Sequence, residues 1–140
     1  MRRRIEVARE AVLSAGSFIR ETFGREMAGE IEEKNKNDFV TQADRLSEKM
    51  ITKTLKRAFP QMGVLGEEYA RQGDGEEYWV IDPLDGTTNF IHGYPFIGIS
   101  IALIRRGEVS LGVVYDPLRE ELFEAVRGEG AFCNGERIRV

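Results

Sequence analysis

The hydrophobic period of this chain changes once, near residue 62, and that change limits what it can fold into. Before it, apolar residues recur every three or four positions; after it, they fall in short runs bounded by Gly or charged residues. The first pattern is that of amphipathic helices and the second that of strands. Ile5, Ala8, Val12, Ala15, Ile19 and Phe23 share one helical face, with Gly24 placed to end the helix. A polar stretch over 32–38 precedes the apolar pair Phe39-Val40. Thr41 then reads as an N-cap, with Asp44 three residues on as the acidic half of a capping-box-like pair. Ala43, Leu46, Met50, Leu55 and Phe59 continue at helical spacing, and Pro60 closes the segment. The spacing predicts helices over 1–24 and 41–59.

Strands are expected at Gly63-Val64-Leu65, at Tyr78-Trp79-Val80-Ile81, over 96–104, over 109–115 and over 121–126. Arg105-Arg106-Gly107-Glu108 reads as a hairpin loop. Asn134-Gly135, between Ala131-Phe132-Cys133 and the run Arg137-Ile138-Arg139-Val140, is the strongest short hairpin signal in the chain. The expected fold class is α+β: two N-terminal helices packed on a largely antiparallel sheet in a layered α/β arrangement.

Length and composition narrow the class. At 140 residues the chain is one domain's worth, and 41% apolar with 31% charged residues is the balance of a folded globular protein. The longest uncharged apolar stretch is too short to span a bilayer. Glu6, Arg9 and Glu10 interrupt any export signal after Arg2-Arg3-Arg4. A net charge of −4 with mixed signs argues against nucleic-acid binding. The single Cys133 excludes an internal disulfide framework and a thiolate zinc cluster. The expectation is a cytoplasmic protein with no membrane partner.

The chemistry concentrates in Trp79-Val80-Ile81-Asp82-Pro83-Leu84-Asp85-Gly86-Thr87-Thr88-Asn89-Phe90. An apolar strand runs into Asp82, Pro83 cannot donate to a ladder, and Asp85-Gly86 forces a turn. Two carboxylates three residues apart, with the Leu84 carbonyl between them, form the kind of oxygen-donor set that Mg²⁺ takes at about 2.0–2.1 Å. Gly86-Thr87-Thr88-Asn89 adds hydroxyls and backbone amides suited to an anion. The plain alternative is a turn followed by a capped helix. Gly66-Glu67-Glu68, after an earlier strand, is by itself an ordinary acidic loop. Converging with Asp82 and Asp85, however, it would make a carboxylate density that only a cation relieves.

Taken whole, the string from Asp82 to Phe90 resembles the first signature of the inositol monophosphatase family, metal-dependent and lithium-sensitive phosphatases of the fructose-1,6-bisphosphatase-like superfamily. Lys34-Asn35-Lys36-Asn37-Asp38-Phe39-Val40-Thr41-Gln42-Ala43-Asp44 is similar to the family's Lys…Asp-x-Val-Thr-x-x-Asp segment, and Gly66-Glu67-Glu68 to its Gly-Glu-Glu metal loop. His92-Gly93-Tyr94-Pro95-Phe96, Gly112-Val113-Val114-Tyr115 and Gly128-Glu129-Gly130-Ala131-Phe132-Cys133-Asn134-Gly135 match in order and spacing. The likeness covers essentially the whole chain.

The resemblance implies a Mg²⁺-dependent phosphomonoesterase of a small phosphorylated polyol, inositol monophosphate first, with two or three ions per site and a homodimer when complete. Glu67, Asp82, the Leu84 carbonyl and Asp85 would hold the metal. Asp85, Gly86 and Thr87 would touch the phosphate. Thr87 and Glu67 would orient and deprotonate the attacking water, and Asp44 would hold the Thr87 hydroxyl. Lys34, chosen over Lys36, would sit on a mobile loop that closes over the metals, and Glu67 is chosen over Glu68 as the ligand. His92 reads as a packing residue, Cys133 as a small buried hydrophobe, Trp79 as core, and Arg2-Arg3-Arg4 as solvated charge.

Family members run to nearly twice this length, with a second α/β half that carries a Trp-Asp-x-Ala-Ala-Gly-like motif. No Trp-Asp dipeptide occurs here. The expectation is therefore an N-terminal α+β domain over 1–140 with the C-terminal half absent. Fructose-1,6-bisphosphate, histidinol phosphate, 3′-phosphoadenosine 5′-phosphate and NADP are alternative substrates within the family. A non-catalytic module that binds the transcription machinery is the alternative outside it.

Overall fold

The computed structural model describes residues 1–66 and 75–140. Helix α1 spans Arg2–Met27, a 3₁₀ turn spans Glu33–Asn35, and α2 spans Lys36–Ala58. Strands β1 (Gly63–Leu65) and β2 (Glu77–Asp85) lead to a short helix α3 (Thr87–Ile91). Then follow β3 (Gly98–Arg105), β4 (Glu108–Asp116), β5 (Glu121–Val126), β6 (Gly130–Cys133) and β7 (Glu136–Ile138). The strands lie in one sheet in sequence order. β1 and β2 pair in parallel and every later pair is antiparallel. This is the α+β arrangement that the change of period predicts.

Both helices lie on one face of the sheet. Val7, Ala8, Ala11, Val12, Ala15 and Ile19 of α1 are buried with Trp79, Ile81, Ile99, Ile101, Leu103, Leu111 and Val113 of β2, β3 and β4. Strand alternation puts these strand residues on a single side. The opposite side is open: Val114, Phe123 and Ile138 remain 47%, 37% and 40% exposed there.

Several local expectations are corrected. α1 does not end at Gly24, which is a solvent-facing residue inside the helix. The stop is Gly29, at φ +75°, where the amides of Gly29 and Glu30 bond back to the Glu26 and Arg25 carbonyls. That is a Schellman ending, which needs a left-handed residue one position past the C-cap. Thr41 is not an N-cap: α2 begins five residues earlier, and the Thr41 hydroxyl donates to the Asn37 carbonyl at 3.0 Å inside the helix. The buried stripe of α2 is Val40, Ala43, Ser47, Glu48, Ile51 and Leu55, whereas Leu46 is 41% exposed. The stripe is rotated because two of its inward positions are polar.

Two surface expectations also change. Arg4 is not simply solvated: it holds Glu77 at 2.9 Å and lies over the Phe59 ring. Cys133 is half-buried rather than buried, because its strand pairs it beside Phe123 on the open face. Trp79 is fully buried, as expected.

Candidate functional site

Pro83 does not end its strand; it bulges it. Asp82 pairs with Ser100 and Asp85 with Gly98, so three steps on β2 face two on β3. The extra residue sits where a proline, lacking an amide hydrogen, costs the ladder least. The side chain of Leu84 is buried to 2% exposure, and its amide donates to Asp82 Oδ1 at 3.3 Å. Asp82 is half-buried at the start of the bulge, and Asp85 is exposed at its end.

Gly86 follows at φ +88° and caps α3. A Cβ there would lie 2.7 Å from the Phe96 carbonyl oxygen, so both the conformation and the space call for glycine. Asn89 Nδ2 donates to the same carbonyl at 2.8 Å and ties α3 to the approach to β3. α3 is anchored by the fully buried Phe90, whose ring meets Phe23 of α1 edge to face at 5.4 Å. Thr87 is half-buried at the first position of this helix.

α2 borders the same end of the sheet. Asp44, Ser47 and Glu48 stand three and four residues apart, on one helical face. Ser47 Oγ donates to the Pro83 carbonyl at 2.7 Å, across 36 residues of sequence. The carboxylate of Glu48 lies against Gly66, at the end of β1, in the space that a Cβ on that glycine would take. Because β1 and β2 run in parallel, with Leu65 beside Val80, their C-terminal ends meet at one edge of the structure.

The fold thus brings Asp82, Leu84, Asp85, Gly86 and Thr87 into one continuous strand–bulge–turn–helix unit, with α2 carrying Asp44 alongside. Glu67 and Glu68 lie outside the described residues. Lys34 is in the 3₁₀ turn, exposed and paired with Glu32 at 3.3 Å; Lys36 pairs with Glu33 at 2.9 Å and stands 4.0 Å from Glu26. His92 is exposed at the C-cap of α3. Sequence reasoning passed over Ser47 and Glu48; the available signal was a polar pair at an inward position of a helical period, between Ala43 and Ile51.

A second buried carboxylate, Glu26 near the end of α1, has no hydrogen-bond partner for either oxygen among the described residues. Burial, against the opposing pull of Lys36, holds its pKa above the ordinary glutamate value; Glu33 adds to the rise and His92 opposes it.

Among the described residues, no three His, Cys, Asp or Glu side chains gather to hold a metal ion. The donors carried by the bulge, two carboxylates and the backbone carbonyl of Leu84, are all oxygens, the ligand type of a hard cation such as Mg²⁺. They offer no nitrogen or sulfur to a softer metal.

These features define a class: a layered α+β domain with an oxygen-donor bulge at the end of its sheet, running into a glycine turn. The inositol monophosphatase family matches residues 1–140, and the chain belongs to that family. It is 41% identical over 141 residues to a fructose-1,6-bisphosphatase/inositol-1-monophosphatase of Aquifex aeolicus, covering 100% of this chain and 53% of the relative. It is 43% identical over 136 residues to the Nus factor SuhB of Xylella fastidiosa, covering 97% of this chain and 50% of that one. The crystal structure of extragenic suppressor protein suhB from Bartonella henselae superposes with a TM-score of 0.87 at 42% identity, covering 97% of this chain and 53% of that one. The chain spans about half the length of the curated relatives it matches. No helix among the described residues is long and apolar enough to cross a membrane.

Proposed function

We propose that this chain forms the N-terminal, metal-holding half of a Mg²⁺-dependent phosphomonoesterase whose substrate is a small phosphorylated polyol, inositol monophosphate first. The observation that carries the reading is the Asp82–Asp85 bulge running directly into the Gly86 turn and Thr87. It sets hard anionic donors beside hydroxyl and amide donors, the pairing that a metal–phosphate complex needs. The membership in the inositol monophosphatase family supports it.

In this reading Asp82, the Leu84 carbonyl and Asp85 hold the cations together with Glu67, and two or three ions are bound. Mg²⁺, when bound, stabilises charge on the phosphoryl oxygens and acidifies a water molecule near neutral pH. Glu67 accepts a proton from the attacking water, and Thr87 orients that water through its hydroxyl. Asp44, on the face of α2 that borders the bulge, fixes the direction of the Thr87 hydroxyl. Asp85, Gly86 and Thr87 position the phosphate, and the segment that carries Lys34 closes over it. No covalent nucleophile takes part. A chain of the relatives' length adds a second α/β half, which covers the open face of the sheet, supplies the contacts to the substrate's ring and completes a homodimer.

The test is phosphate release in the presence of Mg²⁺, run on this chain and on one completed to the relatives' length. The panel is inositol monophosphate, fructose-1,6-bisphosphate, histidinol phosphate, 3′-phosphoadenosine 5′-phosphate and NADP. Preferential release from inositol monophosphate supports the reading, and no release from any of them by the completed chain rejects it. The SuhB relatives carry the name of a Nus factor, which makes a binding module the second reading. Asp82 and Asp85 favour the enzyme, because both carboxylates lie on one bulge that runs directly into the Gly86 turn and Thr87, the oxygen-donor chemistry that a metal takes.

A further inference from the structure

Ser47 and Glu48 have no part in the chemistry above, yet they are the two polar side chains that α2 buries. Ser47 is 0% and Glu48 5% exposed. A buried hydroxyl or carboxylate is unfavourable unless it is held by partners, so each position needs a physical reason. Ser47 reaches the bulge: its Oγ meets the Pro83 carbonyl at 2.7 Å, between the two carboxylates that the bulge separates. Glu48 reaches the neighbouring strand end, where its carboxylate fills the space over Gly66, the residue directly before Glu67. One turn of one helix therefore touches both the end of β1, at Gly66, and the bulge of β2.

We propose that Ser47 and Glu48 are positioning residues that set the spacing between the ends of β1 and β2, and through it the affinity of the strand-end carboxylates for a divalent cation. This inference rests on the metal reading given above. Pro83 sets where the bulge falls along the strand, and the helix hydroxyl on its carbonyl fixes the bulge relative to α2. Gly66 leaves no side chain between its strand end and the helix, so the Glu48 carboxylate meets the backbone itself. Partners that orient metal-binding groups in this way commonly change affinity by about 10–100-fold when removed.

The experiment measures Mg²⁺ binding by calorimetry, and backbone hydrogen exchange, on this chain and on Ser47→Ala, Ser47→Thr and Glu48→Ala. Ser47→Ala is expected to raise the Mg²⁺ Kd about ten-fold. It should also speed exchange at the Leu84 amide, which sits inside the bulge, while β3 amides keep their rates. Ser47→Thr, which keeps the hydroxyl, should recover most of the affinity. Glu48→Ala should weaken binding to a similar degree, and it carries the test alone if Ser47→Ala does not fold. A folded Ser47→Ala or Glu48→Ala with the parent's Mg²⁺ affinity overturns the proposal. If the unmodified chain itself binds no Mg²⁺, the metal reading fails and the proposal with it. That result is distinct, because faster Leu84 exchange in Ser47→Ala would still show the bulge loosened.

Discussion

The carbonyl oxygen of Phe96 occupies the space beside Gly86 where any side chain would begin, 2.7 Å from an ideal Cβ. The crowding is with backbone, so it cannot be relieved by rotating a side chain, and φ at Gly86 is +88°. Gly86→Ala therefore adds left-handed strain of about 1–2 kcal/mol to a steric overlap. We expect a loss of about 2–3 kcal/mol in urea unfolding. Because Gly86 joins Asp85 to Thr87, turnover of a completed chain should fall as well. Unchanged stability would mean that the turn adapts without moving Phe96.

Asp82→Asn tests the metal directly. A ligand that binds only the folded state stabilises it by mass action, by about 2.7 kcal/mol at a hundred times its Kd. Titrating Mg²⁺ should raise the Tm of the parent chain, and Asp82→Asn should lose most of that rise. Equal shifts in the two would remove Asp82 from the metal set. In a completed chain, Glu67→Gln should lower turnover by orders of magnitude and Glu68→Gln far less; the reverse would move the assignment by one residue.

Gly16 lies flat beneath Tyr115, so that a Cβ would come within 2.6 Å of the ring carbon Cδ2. Alanine in mid-helix is ordinarily favoured over glycine by about 1 kcal/mol. Here the added methyl must push a buried ring, a cost of about 1–3 kcal/mol. Gly16→Ala should destabilise by about 1 kcal/mol, read from the urea midpoint. Stabilisation would show that the ring moves freely.

How far the fold was readable depends on where each residue's partner lies. Asn134-Gly135 was legible as a hairpin because its turn needs two residues at positive φ, and they adopt +50° and +82°. The Asp82–Asp85 turn was legible for a similar local reason, although its form, a bulge rather than a strand end, depended on pairing with Ser100 and Gly98. The stop of α1 is not legible locally, because Gly24 is as good a local signal as Gly29; only packing decides that the helix continues and buries Glu26. The start of α2 is ambiguous in the sequence, because the Thr41 hydroxyl is satisfied just as well by the Asn37 carbonyl inside a helix as by an N-cap. Ser47 was invisible because its partner is a carbonyl on another element, 36 residues away.

Glu26 gives a pH-dependent prediction. Its folded-state pKa is raised, chiefly by burial, above the ordinary value of 4.5. Between these two values the unfolded chain has released this proton and the folded chain has not. The contribution of Glu26 to stability is therefore full below about 4.5, falls as pH rises through the folded value, and levels off above it. The neighbouring Lys36 has its pKa raised from 10.5, mainly by its hydrogen bond to Glu33, so it stays charged throughout this window. Glu26→Gln should melt higher than the parent at pH 7, with the difference closing toward pH 4. A constant offset across that range would show that the carboxylate's charge is not the cause.

The open face of the sheet gives the last prediction. Strand pairing aligns Val80, Ala102, Gly112, Ala125, Ala131 and Ile138 in one row across it, and Ser100, Val114, Phe123 and Cys133 in the next. Both rows face away from α1 and α2; the first carries no charge, and the second is charged only at its two ends, Asp82 and Glu136. Leaving such a surface in water forgoes roughly 25 cal/mol for each Å². The edge of the sheet is a weaker attraction: β7 has only three residues, all exposed, and Glu136 and Arg137 place charge on it. Produced alone, the 140-residue chain should therefore self-associate face to face rather than edge to edge. Sedimentation should show association that depends on concentration, and Val114→Glu, which puts a charge at the centre of the open face, should abolish it. Arg137→Glu, on the same edge strand but on the side of the sheet that faces the helices, should have a smaller effect. The same Val114→Glu change should destabilise a chain of the relatives' length, whose second half would cover the face. A parent chain that sediments as a monomer at all concentrations, or an Arg137→Glu chain that dissociates while Val114→Glu does not, would place the contact elsewhere.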